Sequence, residues 1–166
     1  MYDECIEDLP QWESLDDWMI QLESDKPEDL QKAEFLNEVS ALQFVSADVQ
    51  NEAINVASQL IWSQQPEAFL EGALFMSEVE GGFSRLFGRE LYGYGPQDTE
   101  KIIWNSLLSH YCQIGGTCGP RSPISMANCL GNENACGLSL EAIMQDIHLS
   151  PSMWEASRRF IAEQLQ

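Results

Sequence analysis

A chain of 166 residues, 44% of them hydrophobic and five of them tryptophan, has the composition of a globular protein. At this length folding buries roughly 70% of the surface that the unfolded chain exposes, so one core can form without staples. Its 27 acids against 8 lysines and arginines leave a formal net charge of -19, which repels phosphate backbones and anionic lipid and steers basic partners toward it.

Neither nucleic-acid binding nor membrane insertion is therefore expected, and no apolar run reaches the ~18 residues that cross a bilayer. Residues 1–10 are acidic, end at Pro10 and carry an isolated Cys5, which reads as a loose N-terminal arm. Residues 11–166 read as a single helical domain. Trp12, Leu15, Trp18, Met19 and Leu22 recur at helical spacing, and this face is expected to anchor the first helix to the core.

Asp25-Lys26-Pro27-Glu28 is a helix start, with Asp25 as the cap and Pro27 tolerated in the first turn. Leu30, Ala33, Leu36, Val39, Leu42 and Val45 supply the buried stripe of that helix. Ser46 restarts the helix, with Val49, Ala53, Val56, Ala57, Leu60 and Ile61 inward, and the two segments are expected to be antiparallel neighbours or one bent helix. Pro66 opens a third, apolar on more than one face, which predicts that it is the central and most buried element.

That helix ends in Ser77-Glu78-Val79-Glu80-Gly81-Gly82-Phe83. A glutamate followed by small residues and Phe at a helix end resembles the catalytic helix end of lysozyme-like lytic transglycosylases, where a glutamate protonates the glycosidic oxygen. The resemblance covers these residues only, and Gly81 stands where that family has Ser. It implies Glu80 as a general acid in an apolar pocket, for which Phe83, Tyr92 and Tyr94 are the available rings. The plainer reading is an acidic helix end before a Gly-Gly stop, so no residue is assigned as catalytic.

A short helical piece and an aromatic loop, Tyr92-Gly93-Tyr94-Gly95-Pro96, follow. Asp98 or Thr99 is the expected cap of the next helix, which turns Ile102, Ile103, Trp104, Leu107, Leu108 and Tyr111 inward and stops at Gly115-Gly116. Residues 110–137 then hold four of the five cysteines among glycines and prolines, spaced C-x5-C-x10-C-x6-C. Neither outer spacing suits the short pairs that aim two thiolates at one zinc ion. Cys112, Cys118, Cys129 and Cys136 suit two disulfides, with local pairing of Cys112 to Cys118 and Cys129 to Cys136 preferred. Reduced buried thiols and a metal site shared with His110 are the alternatives.

Ser122-Pro123, Ser139 and Ser150-Pro151 each open a further helix. Leu140, Ile143 and Ile147 point inward from the Ser139 helix, and Trp154, Ser157, Ile161 and Leu165 from the last. His110 and His148, the only histidines, neighbour no nucleophile motif and read as structural. No phosphate-binding loop, H-E-x-x-H or EF-hand is present, so no cofactor and no metal are expected.

The fold expected is all-α, a single-domain irregular bundle of about six to eight helices stapled by disulfides in its C-terminal third. The disulfides favour a periplasmic or secreted protein whose signal sequence has been removed, whereas the odd Cys5 favours the cytoplasm. Up to Glu38 the chain holds thirteen acids against only Lys26 and Lys32. The function expected is an acidic protein-binding module, of inhibitor, immunity or adaptor type, meeting a basic protein through Glu13, Asp16, Asp17, Glu23, Glu28, Asp29 and Glu34. A glycan-cleaving enzyme using Glu80 is the second reading.

Overall fold

A computed structural model describes residues 26–42 and 46–165. The predicted N-terminal arm, Cys5, the helix around Trp12 to Leu22 and the stripe position Val45 lie outside them. The described residues are all-α, with eight α-helices and no β-strand. Helices α1 (Glu28–Ala41), α2 (Ala47–Leu60) and α3 (Pro66–Glu78) pack mutually. A short α4 (Gly82–Phe87) leads to the long α5 (Pro96–Gln113), which touches α3, α4, α7 and α8. Then come α6 (Pro123–Gly131), a 3-10 turn (Glu133–Ala135), α7 (Leu140–Ile143), a π-helical turn (Met144–His148) and α8 (Pro151–Gln164).

Serine hydroxyls start four of these helices. Ser46, Ser122, Ser139 and Ser150 accept from the backbone amides of Val49, Ser125, Ala142 and Met153 at 3.2–3.4 Å, satisfying donors that the first helical turn leaves free. Pro27 holds the cap position of α1, and the expected cap Asp25 lies outside the described residues. The predicted cap of α5 is corrected, because Gly95 with Pro96 starts that helix ahead of Asp98 and Thr99. Thr99 is instead buried, where its hydroxyl donates to the Tyr94 carbonyl at 3.2 Å and accepts from the Leu91 amide at 3.1 Å.

The most buried helix is α5, not α3. The sequence hides this because Thr99, Asn105, Ser106 and Ser109 on α5 are polar yet buried. Much of that polarity is absorbed locally: Asn105 Nδ2 and the Ser106 hydroxyl donate to the carbonyls four residues back at 2.7 Å, and the Ser106 hydroxyl also meets that of Ser157 on α8 at 2.8 Å. A hydroxyl satisfied this way enters a core at little cost, whereas Asn105 Oδ1 is buried without a partner. Leu42 was expected inward but is 57% exposed, because α1 ends at Ala41 and the chain turns extended. Ile147 is only half-buried and Met144 takes the inward place, since the π-helical turn widens the coil by a residue there.

The main core joins α1, α2 and α3 to Phe83, Ile103, Leu107, Phe160 and Ile161. Gly72 lets α2 and α3 approach: a Cβ there would meet Leu60 Cβ at 2.7 Å and the Ala57 carbonyl oxygen at 2.9 Å. Two satellite clusters continue that core, one around Ile102 and Met153 and one around Leu108, Leu140 and Met144. The cysteines form two local bridges, Cys112–Cys118 and Cys129–Cys136. The first closes the end of α5, where the Cys118 carbonyl accepts from the Leu140 amide at 2.9 Å, and the second ties α6 to the 3-10 turn.

Candidate functional site

Of the seven acids expected to meet a partner, Glu13, Asp16, Asp17 and Glu23 lie outside the described residues. Glu28, Asp29 and Glu34 lie on α1, the first two in the turn whose free amides favour negative charge. Each has an internal neighbour. Glu28 pairs with Lys32 at 2.6 Å, Glu34 with Lys26, and Asp29 accepts from the Ser63 hydroxyl at the far end of α2. Glu28 and Glu34 remain exposed, and exposed pairs of this kind add little to stability. Ala33, Leu36 and Val39 carry the attachment of α1 to the core, so its charge and its packing are on separate faces.

Glu80 follows the end of α3 and is exposed. It borders two neighbouring grooves, one of about 550 Å³ that includes Ser40, Asn51, Phe75 and Arg85, and one of about 950 Å³ that includes Ser84, Arg89 and Glu100. The rings expected to enclose it are elsewhere. Phe83 is buried and stacks on Trp104 at 6.2 Å between centroids, while Tyr94 packs in the Ile102 and Met153 cluster. Glu100 is spoken for as well, because its Oε1 accepts from the Ser84 amide at 3.0 Å and from the Ser84 hydroxyl, closing the open start of α4. Gly82 has to be glycine here, since a Cβ would lie 2.2 Å from the Met76 carbonyl oxygen.

Tyr92 belongs to a small polar cluster that the sequence did not announce. It holds the left-handed backbone at φ 52°, followed by Gly93 at φ 84°, and the Tyr94 amide closes the turn on the Leu91 carbonyl at 2.8 Å. Two successive positive φ angles make the tight turn that joins antiparallel chain, at a steric cost for tyrosine. The ring is held from α8: the Tyr92 hydroxyl donates to Glu163 at 2.8 Å, Arg159 lies 4.4 Å over the ring centre, and Arg159 donates to Glu163 at 2.7 Å. Partial burial and the neighbouring Glu163 carboxylate push the Tyr92 phenol up to about 12. The hydrogen bonds from Arg159 and then Tyr92 hold the Glu163 carboxyl below its usual range. The only sequence signal for this cluster was the i, i+4 spacing of Arg159 and Glu163.

His110 is buried, with its ring edge-on to Phe69 at 5.4 Å and its Nδ1 without a hydrogen-bond partner. His148 Nε2 meets Asn128 Oδ1 at 2.8 Å. Burial lowers both imidazoles from the usual 6.5, and for His148 the Lys101 charge adds to it. Among the described residues no three His, Cys, Asp or Glu side chains converge to hold a metal ion, and no helix is long and apolar enough to cross a membrane. The chain matches no known protein family, and no curated protein or solved structure is similar to it. Function is therefore read from these residues alone.

Proposed function

We propose that this protein is an acidic helical binding module that meets a basic protein partner through Glu13, Asp16, Asp17, Glu23, Glu28, Asp29 and Glu34. The observation that carries the reading is the distribution of charge: thirteen acids against two lysines up to Glu38, in a chain whose remaining 128 residues hold fourteen acids against six bases. A field of one sign over one end of a molecule accelerates encounter with the opposite sign and discourages other partners. An inhibitor, immunity protein or adaptor would each use it. The two disulfides suit an oxidising compartment, which supports a periplasmic or secreted setting.

The test starts from a partner captured by pull-down from the native host. Reversing Glu13, Asp16, Asp17 and Glu34 to lysine is expected to slow association roughly tenfold and to flatten its salt dependence, with the melting temperature nearly unchanged. An association rate indifferent to both salt and these substitutions sinks the reading. A glycan-cleaving enzyme is the second reading, favoured by the two grooves that meet at Glu80. It requires that the protein cleave glycan chains and that Glu80→Gln abolish the cleavage.

A further inference from the structure

Helix α6 turns its polar side chains inward. Ser122 and Ser125 are buried at its start, Ile124 packs against the main core and the Asn128 carboxamide meets His148 at 2.8 Å. Pro123, Met126, Ala127 and Leu130 are exposed instead, and their i, i+3, i+4, i+7 spacing makes them one apolar stripe along the outer face. Met126 is 56% exposed and Leu130 91%, the highest of any large hydrophobic side chain among the described residues. A wet apolar stripe of this kind marks a surface that another apolar surface covers.

The two ends of α6 say what fits it. At its start lies a hollow of about 670 Å³ lined by Thr117, Gly119, Pro120, Arg121, Ser122 and Pro123, so the hollow and the stripe share Pro123. At the other end stands Leu130, and the Cys129–Cys136 bridge closes the loop that holds both Leu130 and Glu133. Two turns of helix put Leu130 about 10 Å from Pro123 along the axis. A knob at one end and a hollow at the other make the face complementary to itself when a second α6 runs antiparallel across it. A two-fold axis at Ala127 then seats each Leu130 over the hollow of the other copy.

The charges agree with that axis. Arg121 and Glu133 flank α6, equally far along the chain from Ala127; both are exposed, and neither forms an ion pair among the described residues. Antiparallel pairing brings each Arg121 to the end where the other copy has Glu133. From Ile102 to Asn132 the chain carries Arg121 as its sole Asp, Glu, Lys or Arg. Two chains of net charge -19 can therefore meet here without setting acid against acid.

We propose that α6 is the interface of a homodimer, with its outer stripe antiparallel on that of a second copy, Leu130 seated at the partner's Pro123 and Arg121 paired with the partner's Glu133. An anionic lipid surface is a poorer cover, because it repels a chain of this charge. One face of a nine-residue helix is small for an interface, so the dimer is expected to be weak, with a dissociation constant of about 10–100 µM. The interface uses none of the acids of the partner-binding reading, so it goes beyond that reading and does not depend on it.

Sedimentation velocity of the full-length protein from about 1 µM to about 1 mM tests the dimer directly. The expected result is a shift from monomer to dimer within that range. Leu130→Asp should weaken association at least roughly tenfold with the melting temperature nearly unchanged, since the side chain is exposed. Arg121→Glu sets like charges opposite each other twice and should weaken association roughly tenfold, while Arg121→Glu combined with Glu133→Arg should return it to within about threefold. A protein still monomeric at about 1 mM overturns the proposal, as does a dimer indifferent to Leu130→Asp or a double variant as weak as Arg121→Glu alone. A monomer that binds vesicles of phosphatidylcholine through Leu130 assigns the stripe to lipid and overturns the proposal equally.

Discussion

His110 shows how one side chain sets a pH response. Its imidazole is lowered from 6.5 by burial, as is that of His148, so the unfolded chain binds more protons than the folded one once the pH drops below that value. Stability is then fully present above 6.5 and is lost as the pH falls through the lowered folded values. The Nδ1 of His110 has no partner to lose, and a ring of the same shape without nitrogen fits beside Phe69. His110→Phe is therefore expected to leave stability at neutral pH within about 1 kcal/mol and to flatten its decline on the acid side. Urea unfolding at a series of pH values from 7.5 downward measures both, and an unchanged acid slope would remove His110 from the account. In the native protein both imidazoles should titrate below 6.5 when followed by NMR.

The disulfides act on whole elements. Cys112–Cys118 and Cys129–Cys136 join residues six and seven apart, and loops of that size lose enough unfolded-state freedom to stabilise by about 2 kcal/mol each. They differ in what surrounds them. Cys112 and Cys118 pack against the main core and the Leu108 cluster, whereas Cys136 is exposed just after the 3-10 turn. Replacing Cys129 and Cys136 together by serine should cost about 2 kcal/mol, and replacing Cys112 and Cys118 should cost more because packed sulfur is lost as well. Thermal unfolding of the two double variants ranks them; the reverse order would show that α6 is the more critical element. Four freely alkylated thiols in native, unreduced protein would remove both bridges.

At this scale much was legible in advance. Four serine caps, the Pro66 start and the preferred cysteine pairing follow from local chemistry, because a cap or a short loop needs only residues a few positions apart. Which helix lies at the centre was not legible, since polar residues such as Asn105 and Ser106 look like surface residues in the sequence, yet their donors find carbonyls on their own helix and the side chains are buried. The Tyr92, Arg159 and Glu163 cluster was hidden for a different reason. Its members come together only when α8 folds back along α5, with 71 positions between Tyr92 and Glu163.

Over the whole molecule the net charge of -19 works against compaction, because like charges held in one small volume repel. Salt screens that repulsion over about 10 Å at 0.1 M, while the described surface carries only three ion pairs to lose. The melting temperature is therefore expected to rise by several degrees between roughly 0.01 and 0.2 M salt, as for a change of about 1 kcal/mol. A fall over that range, followed by calorimetry, would mean that paired charges outweigh the unpaired ones.

The sequence by itself determined the class of fold, the four serine-capped helix starts, the preferred cysteine pairing and the net charge, since each depends on composition or on residues near one another along the chain. Only the tertiary structure decided the rest. It buried α5 at the centre, moved Phe83 and Tyr94 away from Glu80, engaged Glu28, Asp29 and Glu34 with neighbours, and left Trp62 half exposed at the open end of an aromatic column. These outcomes depend on which distant surfaces meet, and contact between distant surfaces is settled by packing the helices together and not by the pattern along any one of them.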